Sequence, residues 1–225
     1  MYGSKLEIRR FDKSIARYEE KPVEKGLIML YGHSLFTRCQ PDNRWGHPNV
    51  EEAVLTKDGK KAILNHGFGT SSADDLLYYY HRMVKPYEPR ALILAAGGND
   101  FGFGYTPEEV CDVLARVIQY AKADFPGIPV YVLITGVSMK HKYPTPERAA
   151  LRARYSECAH EMCAQFEDCV PVSMAHQAFY YDDPADIGHP DRIREDLHCR
   201  DGIHFNDQGY ELFHQFLREL LDPLL

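Results

Sequence analysis

Two segments far apart in the chain hold residue types that together can activate a hydroxyl: Gly32-His33-Ser34 near the start and Asp201-Gly202-Ile203-His204 near the end. Serine is a weak nucleophile at its ordinary pKa and needs a base within hydrogen-bond reach. An imidazole serves if a carboxylate fixes its tautomer and stabilises the imidazolium that forms. The i, i+3 spacing of Asp201 and His204 lets one loop or helical turn present both groups, so the pair is set locally and the fold must deliver Ser34. Between the two segments lie Gly67-Phe68-Gly69-Thr70 and Gly97-Gly98-Asn99-Asp100. Acyl transfer needs donors where a carbonyl oxygen becomes an oxyanion. The Asn99 amide and the backbone N–H groups of Ser34 and the Gly69/Thr70 turn meet that need. Glycines at 67, 69, 97 and 98 permit close backbone approach and positive φ. Taken singly, each signal is weak, and Gly-Gly-Asn-Asp after a strand is usually only a turn. Their joint order, each after a different expected strand, points to a serine hydrolase.

The elements that position these residues follow from periodicity. Phe11, Ile15 and Tyr18 mark a leading amphipathic helix that Pro22 closes. The apolar run at 26–31 reads as a buried parallel strand, and those at 62–65, 91–96, 128–134 and 169–172 read as four more strands. Ser71 or Ser72 can cap a helix running to Met83 and stopped before Pro86. Thr106-Pro107-Glu108-Glu109 and Thr145-Pro146-Glu147 are helix starts, with an N-cap threonine, proline at the first helical position and acids in the first turn. Their helices run to about Asp124 and Phe166, and Asn206 or Asp207 caps a last helix ending near Leu221. Strands alternating with helices predict a doubly wound α/β sheet whose ligands bind beyond the carboxyl ends of the strands. Residues 40–61 and 174–200 read as long surface loops near the site, and the whole chain, 1–225, as one domain with residues 1–25 as leading helix and linker.

Charge and composition exclude several partners. Lys+Arg 26 against Asp+Glu 33 gives a net charge of −7, and no basic cluster suggests nucleic acid. No apolar stretch reaches the ~20 residues of a membrane span. Met1 to Glu20 lacks the apolar centre of a signal peptide. Six cysteines without CxxC spacing read as reduced thiols, which together suggests a cytoplasmic protein.

The segments Gly32-His33-Ser34, Asn65-His66-Gly67-Phe68-Gly69-Thr70-Ser71, Gly97-Gly98-Asn99-Asp100 and Asp201-Gly202-Ile203-His204 resemble the four blocks of SGNH hydrolases, also called GDSL-type esterases and lipases. The resemblance implies a flavodoxin-like three-layer α/β/α sandwich with a central parallel sheet of about five strands. It implies esterase, lipase or thioesterase activity without metal or cofactor. By position, Ser34 would be the nucleophile, His204 the base and Asp201 its partner, with Asn99 and the N–H groups of Ser34 and Thr70 forming the oxyanion hole beside Gly69. Two departures stand out: the usual Gly-Asp-Ser is Gly-His-Ser here, and Thr70 stands where the oxyanion-hole glycine is usual. The α/β-hydrolase elbow does not fit, since Leu35-Phe36 follow Ser34 without a second glycine.

The substrate expected is a small-molecule ester, an acetyl ester of a sugar-like or other soluble alcohol; a homo-oligomer stays open. The alternatives are a thioesterase or lysophospholipase, and a binding protein in which Thr70 has spoiled the hole. His198, Asp201 and His204 recur every third residue, but nothing like HExxH accompanies them to make a metal site. His33, His66 and Cys39 are read as lining the pocket mouth or as exposed loop residues. Trp45 and Phe179-Tyr180-Tyr181 are read as a wall of the site or as loop packing, and Asp100 as a turn or cap acid holding Asn99.

Overall fold

Continuous apolar runs bury both faces of a strand; four such runs, with a half-buried fifth strand at the edge, pair here as one parallel sheet. In a computed structural model of the chain, which describes residues 4–134, 145–174, 179 and 193–225, the strands are β1 (Ile28–Gly32), β2 (Ile63–Gly67), β3 (Ala91–Ala95), β4 (Val130–Ile134) and β5 (Cys169–Ser173). Their order is β2-β1-β3-β4-β5, all parallel. Pro171 is tolerated because β5 is an edge strand.

Side chains alternate across the sheet and feed two cores. Met29, Tyr31, Leu92, Leu94, Val130 and Val132 face one layer of helices. That layer holds α1 (Asp12–Glu19), α4 (Ala73–Met83), α6 (Pro107–Asp124) and α7 (Pro146–Cys163). Ile28, Leu30, Ala91, Ile93 and Leu133 face the other, built from α2 (Ser34–Thr37), α3 (Val50–Ala53) and α8 (Asp207–Leu221). The result is the three-layer sandwich expected. A further short helix, α5 (Gly98–Gly102), follows β3 directly.

Caps set the helix starts. The Thr106 hydroxyl accepts the Glu109 N–H, and the Glu109 carboxylate accepts the Thr106 N–H. Asn206 Oδ1 accepts the Gly209 N–H to open α8. Ser72 N–H donates to Asp75 at the start of α4.

The structure departs from expectation at three places. The stretch 40–61 is not wholly a surface loop: α3 lies within it, and Val50 and Val54 are fully buried. Gly-Gly-Asn-Asp is the opening of α5 rather than a simple turn. His66 and Cys39 are neither at a pocket mouth nor exposed. His66 is buried in β2 with Nδ1 2.7 Å from the Met83 carbonyl, and Cys39 packs into the second core. Tyr180, Tyr181 and most of the 174–200 connection lie outside the described residues. No helix among the described residues is long and apolar enough to cross a membrane.

Candidate active site

In a parallel sheet of this strand order, chain connections leave β1 and β3 toward opposite faces, and a crevice opens between their carboxyl ends. Ser34 stands just past β1 and Asn99 just past β3, on the two lips of that crevice. Gly32 closes β1 without a side chain because a Cβ there would lie 2.5 Å from the Ala95 carbonyl oxygen on β3.

His33 caps α2: its Nδ1 accepts the Leu35 N–H at 3.3 Å. The proton of the neutral ring is therefore on Nε2, which is buried without a partner among the described residues. Burial, and then the neighbouring His204, pushes His33 down to about 4. His33 is thus an uncharged cap where an acid would be charged, and it does line the cavity. Ser34 opens α2, so its N–H is among the groups that a helix leaves unpaired.

The base arrives from the far end of the chain. Cys199 N–H donates to the His204 carbonyl and Asn206 N–H to the Leu197 carbonyl, which closes a tight loop ahead of α8. Asp201 Oδ1 accepts the N–H groups of Ile203 and His204 at 2.9 and 3.0 Å. Its Oδ2 lies 2.8 Å from His204 Nδ1, and His204 Nε2 lies 2.9 Å from Ser34 Oγ. The loop is seated by Gly209, where a Cβ would collide with the Leu197 carbonyl oxygen.

A cation also meets the same carboxylate. Arg38 Nη2 donates to Asp201 Oδ2 at 3.0 Å, and its guanidinium lies 4.8 Å from the Trp45 ring. Burial opposes ionisation of Asp201, but the N–H groups of His204 and Ile203 and the imidazole outweigh it and hold the carboxyl well below its usual range. His204 is held below its ordinary value, first by burial and further by the charge of Arg38, against the pull of Asp201. Its imidazole is therefore neutral and able to accept a proton at pH 7.

Asn99 is cross-braced to the loop after β2. Its Nδ2 donates one N–H to the Ser71 carbonyl at 3.0 Å and keeps the second, since an amide carries two. Asp100 accepts from Gly97 N–H at 2.9 Å and Ala73 N–H at 2.7 Å, tying α5 to the start of α4. The turn at 69–70 divides its residues. Gly69 lies against the nucleophile, where an added Cβ would be 4.0 Å from Ser34 Cβ. Thr70 is exposed, its carbonyl accepts from Arg10 at 2.9 Å, and its φ of 62° is left-handed.

Ser34, Asn99 and His204 open onto one cavity of about 420 Å³. Phe179 lines it, stacked 4.7 Å from Phe205, whereas Trp45 lies outside its lining. His198 also lines it, with Nδ1–H donating to the Arg194 carbonyl at 3.0 Å. Sequence reasoning missed Arg38, although it stands four residues after Ser34 on the same helical face. It also missed Tyr155, Arg148 and Arg152 on α7, because nothing in α7 itself says that its first turns reach the crevice.

A parallel α/β sheet whose switch point carries a serine, an imidazole and a carboxylate in one hydrogen-bonded row is the architecture of ester hydrolases. The GDSL-like Lipase/Acylhydrolase family matches residues 30–212, and the chain belongs to that family. No match is found among curated proteins. Solved structures share the fold at low identity. A protein from Streptococcus pneumonia described with reference to platelet activating factor is 17% identical, with a TM-score of 0.70 over 96% of this chain and 92% of that one. A GDSL-like lipase from Bacteroides thetaiotaomicron is 14% identical, with a TM-score of 0.61 over 99% and 100%. An acetyl-xylooligosaccharide esterase variant from Geobacillus Stearmophilus is 14% identical, with a TM-score of 0.60 over 88% and 96%.

Proposed function

We propose that the chain hydrolyses carboxylic esters through an acyl-serine intermediate, with Ser34 as nucleophile, His204 as general base and Asp201 as its partner. The observation that carries this reading is the unbroken row from Asp201 Oδ2 to His204 to Ser34 Oγ, at 2.8 and 2.9 Å. Ser34 Oγ bonds to the ester carbonyl carbon as its proton passes to His204 Nε2. The tetrahedral oxyanion is met by the Ser34 N–H, the free N–H of Asn99 and an N–H of the 69–70 turn, where Gly69 is the residue against Ser34. Collapse breaks the bond to the alcohol oxygen, which takes the proton from His204. Water then adds to the acyl-serine, its proton going to His204 and on to Ser34 Oγ, and the acid leaves.

The substrate in this reading is an acetyl or similarly short ester of a soluble alcohol. Support comes from the polar side chains of His33, Asn99 and His198 among the residues that line the cavity. A second reading, a longer acyl chain as in a lysophospholipase or thioesterase, is favoured by Phe101, Phe179, Ile203 and Phe205 on the apolar wall. A series of p-nitrophenyl esters separates them. Highest kcat/KM at two to four carbons supports the short ester, and a maximum at eight or more overturns it. Phosphonate labelling tests the chemistry itself: a Ser34 that stays unlabelled sinks the acyl-serine pathway.

A further inference from the structure

The turn beside Ser34 holds a shape that its own sequence disfavours. Ser71 N–H donates to the Phe68 carbonyl at 3.3 Å, so residues 68–71 form a β-turn with Gly69 and Thr70 at its centre. Of these two only Thr70 has a positive φ, 62°. Positive φ at the third position alone is the type II pattern, which takes glycine or asparagine there. Threonine tolerates it poorly, because its branched Cβ crowds the backbone. The competing type I turn has a negative φ at that position and suits threonine better. The two turns differ by roughly a half-rotation of the central peptide, here the one joining Gly69 to Thr70. Its N–H and its carbonyl therefore exchange sides, and Gly69 is the residue against Ser34.

Arg10 supplies what the turn lacks. Its Nη2 donates to the Thr70 carbonyl at 2.9 Å and to Asp75 Oδ2 at 2.5 Å, while Nε donates to Asp75 Oδ1 at 3.3 Å. Asp75 is buried and also accepts the N–H and the hydroxyl of Ser72, each at 2.8 Å. The guanidinium packs on the rings of Phe11 and Phe103, 4.5 and 5.1 Å from their centroids. Phe11 in turn meets Phe68, the first residue of the turn, edge-on at 5.2 Å. A planar fork can hold the carboxylate and the carbonyl together, whereas an ammonium is a single point of donation. Asn99 grips the next carbonyl, that of Ser71, at 3.0 Å. The strained residue is thus clamped from both sides, and one clamp comes from the leading segment of the chain.

We propose that Arg10 is a positioning residue for the oxyanion hole: it holds Thr70 left-handed and so keeps the N–H of the 69–70 peptide turned toward the oxygen that becomes the oxyanion. This inference rests on the esterase reading for its reaction, but not for the shape of the turn. Arg10 touches no reacting atom and acts only through the turn.

Arg10→Gln, Arg10→Lys and Thr70→Gly, singly and combined, test it on a p-nitrophenyl ester. Arg10→Lys keeps a cation for Asp75 and is expected to fold with a urea midpoint near the parent's. Both Arg10 variants are expected to lower kcat by ~10–10²-fold with KM little changed, short of the ~10²–10³ of a deleted donor. Glycine takes positive φ freely, so against the Thr70→Gly baseline replacing Arg10 should cost about twofold or less. A role confined to stability would give the same kcat loss in both backgrounds, and that result overturns the proposal. So does a folded Arg10→Lys protein with the parent's kcat. A second readout is independent of turnover: the nuclear Overhauser cross-peak between Gly69 Hα and Thr70 N–H, strong in a type II turn and weak in type I. It is expected to weaken in Arg10→Lys, and an unchanged cross-peak also overturns the proposal. A parent that cleaves no ester while its cross-peak still depends on Arg10 removes the esterase reading and leaves Arg10 as the prop of the turn.

Discussion

Asp201 answers to two donors at once, the Arg38 guanidinium and the neutral His204 ring, and that fixes how its imidazole behaves. Arg38 and His204 meet the same oxygen, Oδ2, at 3.0 and 2.8 Å. The carboxylate pulls the imidazole toward protonation, while burial and the Arg38 charge push the other way and win. The base is protonated, and lost, only below the ordinary histidine value of about 6.5. The acid limb of kcat/KM is therefore expected at a midpoint under about 6.5, and a rate unchanged down to pH 4 would remove His204 from the mechanism. Arg38→Gln takes away a positive neighbour, so the imidazolium forms more easily and the midpoint moves up; Arg38→Lys restores it. A merely structural Arg38 would change the rate without moving the limb. Replacing Ser34 with alanine is expected to lower kcat by ~10⁴-fold or more. Asn99→Ala should cost ~10²–10³ in kcat, the usual effect of one oxyanion donor. Both are read from steady-state rates on a p-nitrophenyl ester.

At the scale of elements, β3 and α5 show how a turn can be both strained and necessary. Gly97 has a φ of 102°, and a Cβ there would lie 2.9 Å from the Tyr155 ring. Gly97→Ala thus meets a forbidden backbone region and a buried ring together. A loss of ~1–3 kcal/mol in urea unfolding is expected, with a further fall in kcat because Asn99 rides on the same turn. The strands and long helices were legible because each carries its own signal: apolar runs in β1, β3 and β4, and threonine–proline–glutamate starts in α6 and α7. The order of Ser34, Asn99 and the Asp201–His204 pair was legible for the same reason, since each follows a strand or precedes a capped helix. What could not be read depends on tertiary approach. Arg38 needs the far loop before it has a partner, and α7 needs the sheet before Arg148 and Arg152 have a cavity. The choice between Gly69 and Thr70 needs the path of the turn, which places one against Ser34 and the other in solvent.

Over the whole molecule, buried histidines set the acid side of stability. His33, His66 and His214 are nearly inaccessible, and burial pushes each down to about 4. Unfolded, each takes up a proton near pH 6.5. Between about pH 6.5 and 4 the unfolded chain therefore binds more protons, and stability falls as pH falls. Each histidine contributes a slope of up to about 1.4 kcal/mol per pH unit in that window. Asp100 works against them: burial lifts it to about 6, so the folded chain holds a proton there that the unfolded chain lacks until about 3.9. Three against one leaves a net loss on acidification. The urea midpoint is expected to drop from pH 7 to pH 5, and His214→Phe to shrink that drop. A midpoint independent of pH would mean that these rings are hydrated in the folded state.

The bare Cα of Gly209, pressed on the Leu197 carbonyl, joins the catalytic loop to α8 by close packing rather than through the sheet's own ladder. One methyl there would tilt α8 off its seat and swing the imidazole from the hydroxyl while the parallel strands stay zipped. Gly209→Ala is thus a lever that uncouples working from folding: turnover vanishes, and a far-ultraviolet melt still records a cooperative protein.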